Sequence, residues 1–251
     1  MLFLACATCV ALAALRASGA RVPSFLLLGA GLLVLTVIGV GVAFHGSGVF
    51  ARPLQAVLTS RPVVAITIDD GPDPAWTPAL LQVLEARGHL ATFFVIGDRA
   101  ERHPQLLRQI AESGHEVENH SLRHSYATPF AKVSRLAQEL RRTSAVIEAA
   151  TGRPPRWFRP PVGLISPRVA GAARDAGLEL MGWSATARDG VDFTSAEESI
   201  SRLSKGLAPG AVLVIHDARP GGPALLSRLL DLLDARKLRS VTLDQLVHGG
   251  E

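Results

Sequence analysis

A parallel α/β domain, wound into a distorted barrel of about seven strands and preceded by membrane-spanning sequence, is the fold class this chain predicts. From Arg61 onward, short apolar runs of strand length alternate with helical patterns. The conspicuous polar residues fall where those apolar runs end, and α/β folds collect their chemistry at that end of their strands. Ahead of all this, residues 25–44 are twenty in a row without a charge, the length that crosses a bilayer.

The N-terminal part divides further. Residues 2–15 form a second apolar run, short for a span, and Arg16 and Arg21 separate it from the longer one. If both runs insert as a hairpin, the arginines mark its cytoplasmic turn. If only the second run spans, they flank it on the cytoplasmic side, so either way the chain after Phe44 emerges outside. A cleaved signal peptide fits less well, because no basic region precedes the first run and no small-residue cleavage site follows the second. Cys6 and Cys9, the 2 cysteines of the chain, lie in the first run as small hydrophobes, so there is no disulfide framework to read. The expected organisation is an anchor of one or two spans at 1–44, a linker at 45–60 and a single α/β domain at 61–251. A net charge of +4, with 26 basic against 22 acidic residues, is mild and diffuse. No basic block interleaved with aromatics points to a nucleic-acid partner. Oligomeric state is not legible in the residues.

The elements follow in order. Residues 63–68 are apolar and β-branched, as in a strand buried on both faces. Asp69 and Asp70 end that strand, and strand alternation predicts that they face opposite ways and do different work. Gly71-Pro72 turns the chain, and Thr77-Pro78 reads as an N-cap and first helical residue, with Gly88 closing the helix. Residues 91–96 form strand two. A helix at 104–113 stops at Gly114, and 115–119 is a short strand three. The longest helix, 131–150, places Val133, Leu136, Leu140 and Ile147 near one face. Trp157-Phe158 is strand four. Ser166-Pro167 opens the next helix, and 178–183 is strand five, on which Trp183 reads as core. Ser195 with Glu198 forms a capping box. Residues 210–215 make strand six, and a helix at 225–235 and a strand at 239–243 finish the domain.

The strand ends carry the chemistry. Asp69 and Asp70 follow strand one. His120 and His124, four apart, follow strand three and are expected on a helical turn with both imidazoles to one side. Arg159 follows strand four, the loop 184–193 after strand five carries Arg188 and Asp189, and His216 follows strand six. The other histidines (His45, His89, His103, His115 and His248) read as surface or turn residues. Two histidines and one carboxylate make a metal set with open coordination positions, and a second Asp, a His and an Arg around it suggest proton transfer. The same triad of ligands also suits an iron(II) oxygenase.

TIDDGP, HSLRH, FRPPVG, WSATARD and VLVIHD resemble, in that order, the five motifs of the polysaccharide deacetylase (NodB-homology) family, from about Arg61 to the C-terminus. The resemblance implies a distorted (β/α) barrel and metal-dependent removal of acetyl groups from a glycan (peptidoglycan, a chitin-like oligomer or an exopolysaccharide), releasing acetate. By motif position it implies Asp70, His120 and His124 as metal ligands, with Zn2+ the default and Co2+, Mn2+ or Fe2+ able to use the same set. It implies Asp69 as the base acting on a metal-bound water, held by Arg159. It implies His216 as the general acid, oriented by Asp189, and the backbone N–H of Val162, beside Pro161, as a donor to the oxyanion. The family usually has an aromatic where Val162 stands, Trp where Gly190 stands, and Phe where Ile68 stands. One wall of the acetyl pocket is therefore expected to be open or supplied from elsewhere, Trp183 being the nearest aromatic. A pocket too open to hold an acetyl group would make the domain a glycan-binding module without catalysis.

Overall fold

The computed structural model describes residues 2–190 and 195–249. Among them, eight parallel strands form one sheet: β1 (Val63–Gly71), β2 (Ala91–Val95), β3 (Glu116–Asn119), β4 (Trp157–Phe158), β5 (Glu179–Leu180), β6 (Ala185–Thr186), β7 (Val212–His216) and β8 (Arg239–Ser240). Their order is β5-β4-β3-β2-β1-β7-β6, with β8 beside the start of β1. The two ends of that order do not pair, so the barrel is open between β5 and β6. The helices are α1 (Leu2–Ala17), α2 (Ser24–Ala43), α3 (Thr77–Arg87), α4 (Gly97–Arg102), α5 (Pro104–Glu112), α6 (Val133–Thr151), α7 (Pro167–Asp175), α8 (Ala196–Lys205), α9 (Gly222–Ala235) and α10 (Leu243–His248).

β1 is the axis. It pairs with β2 on one side and β7 on the other, and its residues 64–69 are all buried. Alternation sorts its side chains between two cores. Val64, Ile66 and Ile68 pack outward with Leu80 and Leu84 of α3 and Leu226 and Leu229 of α9. Ala65 faces inward, with Phe94, Trp157 and Met181. Asp69 continues that inward series beyond Thr67.

Three local readings change. Strand five, expected over 178–183, is only Glu179–Leu180, and Ala185–Thr186 is a separate strand. The break has a cause: Gly182 N–H donates to Leu54 O (2.7 Å), and the Ser184 hydroxyl exchanges hydrogen bonds with the Val212 backbone. Helix α4 was not expected, being six residues and largely charged. Its approach to α6 needs Gly97, because a Cβ there would collide with the Thr143 hydroxyl. Thr77 lies inside α3 rather than capping it, and Asp73 Oδ1 accepts from the N–H groups of Ala75 and Trp76 in the turn that leads into the helix. The capping box at Ser195 and Glu198 forms as expected.

The stretch at 45–60 is tied to the domain along much of its length. Leu54 N–H donates to Leu180 O at 3.0 Å and Val57 N–H to Gly210 O at 2.9 Å. Helices α1 and α2 pack against each other, and α2, with 20 residues, is long and apolar enough to cross a membrane.

Candidate active site

The site starts from an irregularity in β1. Register with β2 slips between Asp69 and Gly71, and Asp70 sits at φ 73°, in the left-handed region. Such a bulge breaks strand alternation. The two carboxylates therefore reach one cluster, His120 Nε2 lying 3.4 Å from Asp70 Oδ1 and 4.0 Å from Asp69 Oδ2. The expectation that they face opposite ways is corrected. The bulge is braced from below. Arg99 Nη1 donates to Asp70 O at 2.8 Å, and Asp217 N–H to Asp69 O at 2.8 Å. A Cβ at Gly71 would stand 2.6 Å from Asp217 Oδ2, so a larger residue there would displace that carboxylate. The Thr77 hydroxyl donates to that same oxygen. Burial pushes the Asp217 carboxyl up to about 6. Thr77, Arg99 and Asp217 were missed in the sequence; an acid directly behind the His216 of an apolar strand was the available signal.

Asp70, His120 and His124 form the candidate metal centre, their ligand atoms all within 4.8 Å of one another. His124 Nε2 is 3.3 Å from Asp70 Oδ1. His120 Nδ1–H donates to Arg159 O at 2.8 Å, which fixes the tautomer and leaves Nε2 as a lone-pair donor. The imidazoles converge without a helix, which corrects the expected helical turn. Instead, Ser121 (φ 68°) and His124 (φ 52°) are left-handed. Ser121 N–H donates to Asn119 Oδ1 and His124 N–H to Ser121 Oγ. These bonds offer the backbone an alternative to helix. Asp70 Oδ1 is buried and has no hydrogen-bond partner. An orphaned carboxylate oxygen facing two imidazole nitrogens is chemistry that a divalent cation satisfies. Burial raises the Asp70 carboxyl, but His120, His124 and His216 pull it well below the usual carboxylate range. Burial and the neighbouring His120 push the His124 imidazole down, favouring the neutral form a metal needs.

Asp69 is paired instead. Arg159 Nη1 donates to its Oδ1 at 2.6 Å and to Thr67 Oγ1 at 2.7 Å, while Nη2 donates to Gly182 O at 2.9 Å. The guanidinium is fully buried, 4.1 Å from the centroid of Phe94. Burial lowers its pKa and the Asp69 carboxylate opposes that. On the other flank, β7 places His216 opposite Asp69. Asp189 grips it twice: Nδ1 lies 2.7 Å from Oδ1, and the backbone N–H donates to Oδ2 at 2.9 Å. Burial pushes the His216 imidazole down, but Asp189, with Asp69 and Asp70 behind it, raises it overall.

A cavity of about 1100 Å³ opens over these groups. Val162 lines it from the turn Pro161–Gly163, at φ 57° and half-exposed, while Pro161 is buried and does not line it. Trp183 is half-buried, lines the cavity and also packs on the inner core. Gly190 lines the cavity beside His216: a Cβ there would lie 3.3 Å from the His216 ring. Residues 191–193 of the expected loop 184–193 lie outside the described residues. His89 and His115, expected at the surface or in turns, are buried, and their Nδ1 atoms accept from the N–H groups of Ser240 and Ala91.

A sequence profile of the family described as polysaccharide deacetylase matches residues 56–181. The chain is 33% identical over 196 residues to a peptidoglycan-N-acetylglucosamine deacetylase of Bacillus cereus, an overlap of 76% of this chain and 91% of that one. It is 34% identical over 175 residues to a chitooligosaccharide deacetylase of Sinorhizobium fredii, covering 68% and 79%. Among solved structures, a family 4 acetyl xylan esterase from Clostridium thermocellum, in complex with a cobalt ion, superposes with a TM-score of 0.67 at 31% identity, covering 73% of this chain and 89% of that one.

Proposed function

The chain belongs to the polysaccharide deacetylase family, and from that premise we propose that it hydrolyses the N-acetyl group of an amino sugar in an envelope glycan, releasing acetate. The observation that carries the reading is the pairing of an orphaned Asp70 oxygen between two imidazoles with a separately held Asp69.

An amide resists hydrolysis because its carbonyl is a poor electrophile and its amine a poor leaving group. Asp70, His120 and His124 would hold a divalent cation, whose Lewis acidity supplies carbonyl polarisation and a more acidic attacking water. Zinc is the default for this set, and cobalt, manganese or iron(II) would use the same ligands. Asp69 is the base. Its Oδ1 is committed to Arg159, which aims it, and Oδ2 accepts the proton as the water oxygen bonds to the acetyl carbon. The Val162 backbone N–H donates to the oxyanion of the tetrahedral state. His216, held at Nδ1 by Asp189, gives the Nε2 proton to the sugar nitrogen as the C–N bond breaks, and acetate leaves. Without that protonation the departing group would be an amide anion, far too basic to leave. An iron oxygenase would leave the His216–Asp189 pair with no role. We further propose that α2 anchors the chain with its catalytic domain outside the cytoplasm, after a short connection at 45–60.

The experiment is an assay of the full chain, supplied in turn with zinc and cobalt, for acetate release from N-acetylglucosamine oligomers and from peptidoglycan. Acetate release without oxygen consumption is expected. Asp69→Asn should lower turnover by about 10²–10⁴ while leaving cation binding intact. Full turnover in that variant contradicts the mechanism.

A further inference from the structure

The membrane-spanning helix does not stand apart from the catalytic cavity; it forms part of its wall. Val40, Ala43 and Phe44, the last turn of α2 and the residue after it, line the same cavity as Asp70 and His216. The attachment is close-packed. Ile165 N–H, on the loop after β4, donates to Val42 O at 3.1 Å. A Cβ at Gly41 would stand 2.7 Å from the Phe50 ring and 2.8 Å from Val49, so the chain folds back onto this turn only because glycine is there. A helix is about 10–12 Å across, so the mouth of the cavity lies within about one helix diameter of the point where the span leaves the bilayer.

The rim has a second, independent feature. Among the described residues from 45 onward, the exposed large apolar side chains are Leu58, Tyr126, Phe130 and Val162. All but Leu58 sit on the loops that follow β3 and β4, on the catalytic face. Phe130 is 74% exposed and Tyr126 72%. Tyr126 lines the cavity and is of the amphipathic aromatic type found at the headgroup level of a bilayer, and Phe130 follows it on the same loop. Arg188, which lines the cavity, gives the mouth a cation suited to anionic headgroups.

We propose that the catalytic mouth faces the bilayer surface, and that the substrate is an acetylated amino sugar carried by a lipid of that same membrane rather than a polymer standing off it. The proposal rests on the deacetylase reading for its chemistry and on α2 as the anchor. A lipid-borne sugar is confined to the plane where the cavity opens. A soluble oligomer has to enter between the rim and the headgroups.

The test uses the full chain reconstituted in phosphatidylcholine–phosphatidylglycerol vesicles with zinc. Two probes are compared at equal concentration: tetra-N-acetylchitotetraose in solution, and the same acetylated tetraose joined to a dialkyl lipid in the same vesicles. Acetate release from the lipid-borne tetraose should be at least tenfold faster. Phe130→Ser should lower that rate several-fold and leave the rate on soluble tetraose within twofold. In a Cys6→Ser, Cys9→Ser background, an environment-sensitive fluorophore at Phe130→Cys should shift to the blue on reconstitution, and one at Leu58→Cys should not. Equal or faster turnover of the soluble tetraose, or a Phe130 probe as wet as the Leu58 probe, overturns the proposal. Acetate from neither tetraose, with a blue-shifted Phe130 probe, instead sinks the deacetylase reading and the substrate claim with it.

Discussion

Asp69 and Asp70 are adjacent in the chain, yet the regions around them are built on different principles. Asp69 lies at the floor of the cavity, largely buried: its carboxylate meets a fully buried guanidinium that is itself shared with Thr67 and Gly182. Asp70 lies at the cavity edge, in a loop cluster, with one buried oxygen that no protein donor reaches. In the first region the protein itself supplies the carboxylate's partner. The second leaves a carboxylate oxygen that a divalent cation would satisfy. What separates them is a single left-handed residue in β1, and the proposed division between holding a metal and moving a proton rests on it.

The contrast can be broken most severely on the open side. His120→Ala removes one of two imidazoles and should abolish both cation binding and acetate release, with little change in melting temperature measured without metal. On the closed side the order of effects reverses. Arg159→Met leaves the Asp69 carboxylate buried and unpaired, and breaking such a pair costs about 3–5 kcal/mol. Denaturant unfolding should show that loss, whereas cation affinity should change little. A fold as stable as wild type would mean that Asp69 is solvated in a way its burial does not suggest.

A smaller effect sharpens the comparison through pH. Asp189 and the nearby carboxylates raise the His216 imidazole above its ordinary value, so the protonated acid persists to higher pH than a free histidine would. Asp189→Asn should move the alkaline limb of kcat to lower pH and lower the plateau. The stability linkage has the same sign. A raised folded pKa contributes stability that is full below the unfolded value near 6.5 and is lost as pH rises through the folded value. Wild type should therefore lose more stability than Asp189→Asn across that window. An unmoved alkaline limb would remove His216 from proton transfer.

Much of this was legible because strand ends announce themselves: an apolar run that stops at DD, at NH, at FR or at IHD leaves a polar group where the barrel opens. The alternation that buries residues 64–69 was readable too. The bulge at Asp70 was not, because it depends on Thr77, Arg99 and Asp217, partners distant in sequence. The break between β5 and β6 turns on a hydroxyl that replaces ladder bonds and on Leu54, from a stretch whose small residues suggested a linker. His89 and His115 looked like surface residues because periodicity cannot show that a ring nitrogen replaces a missing backbone acceptor. The contribution of α2 to the cavity wall is likewise tertiary, resting on one backbone bond and one close glycine contact.

The most direct measurement is a cobalt titration of metal-free protein, followed by its visible absorption, in wild type, Asp70→Ala and Asp69→Asn. Adjacent carboxylates with divided duties predict one equivalent bound by wild type and by Asp69→Asn, and none by Asp70→Ala. Loss of cobalt from Asp69→Asn, or its retention by Asp70→Ala, would contradict that division.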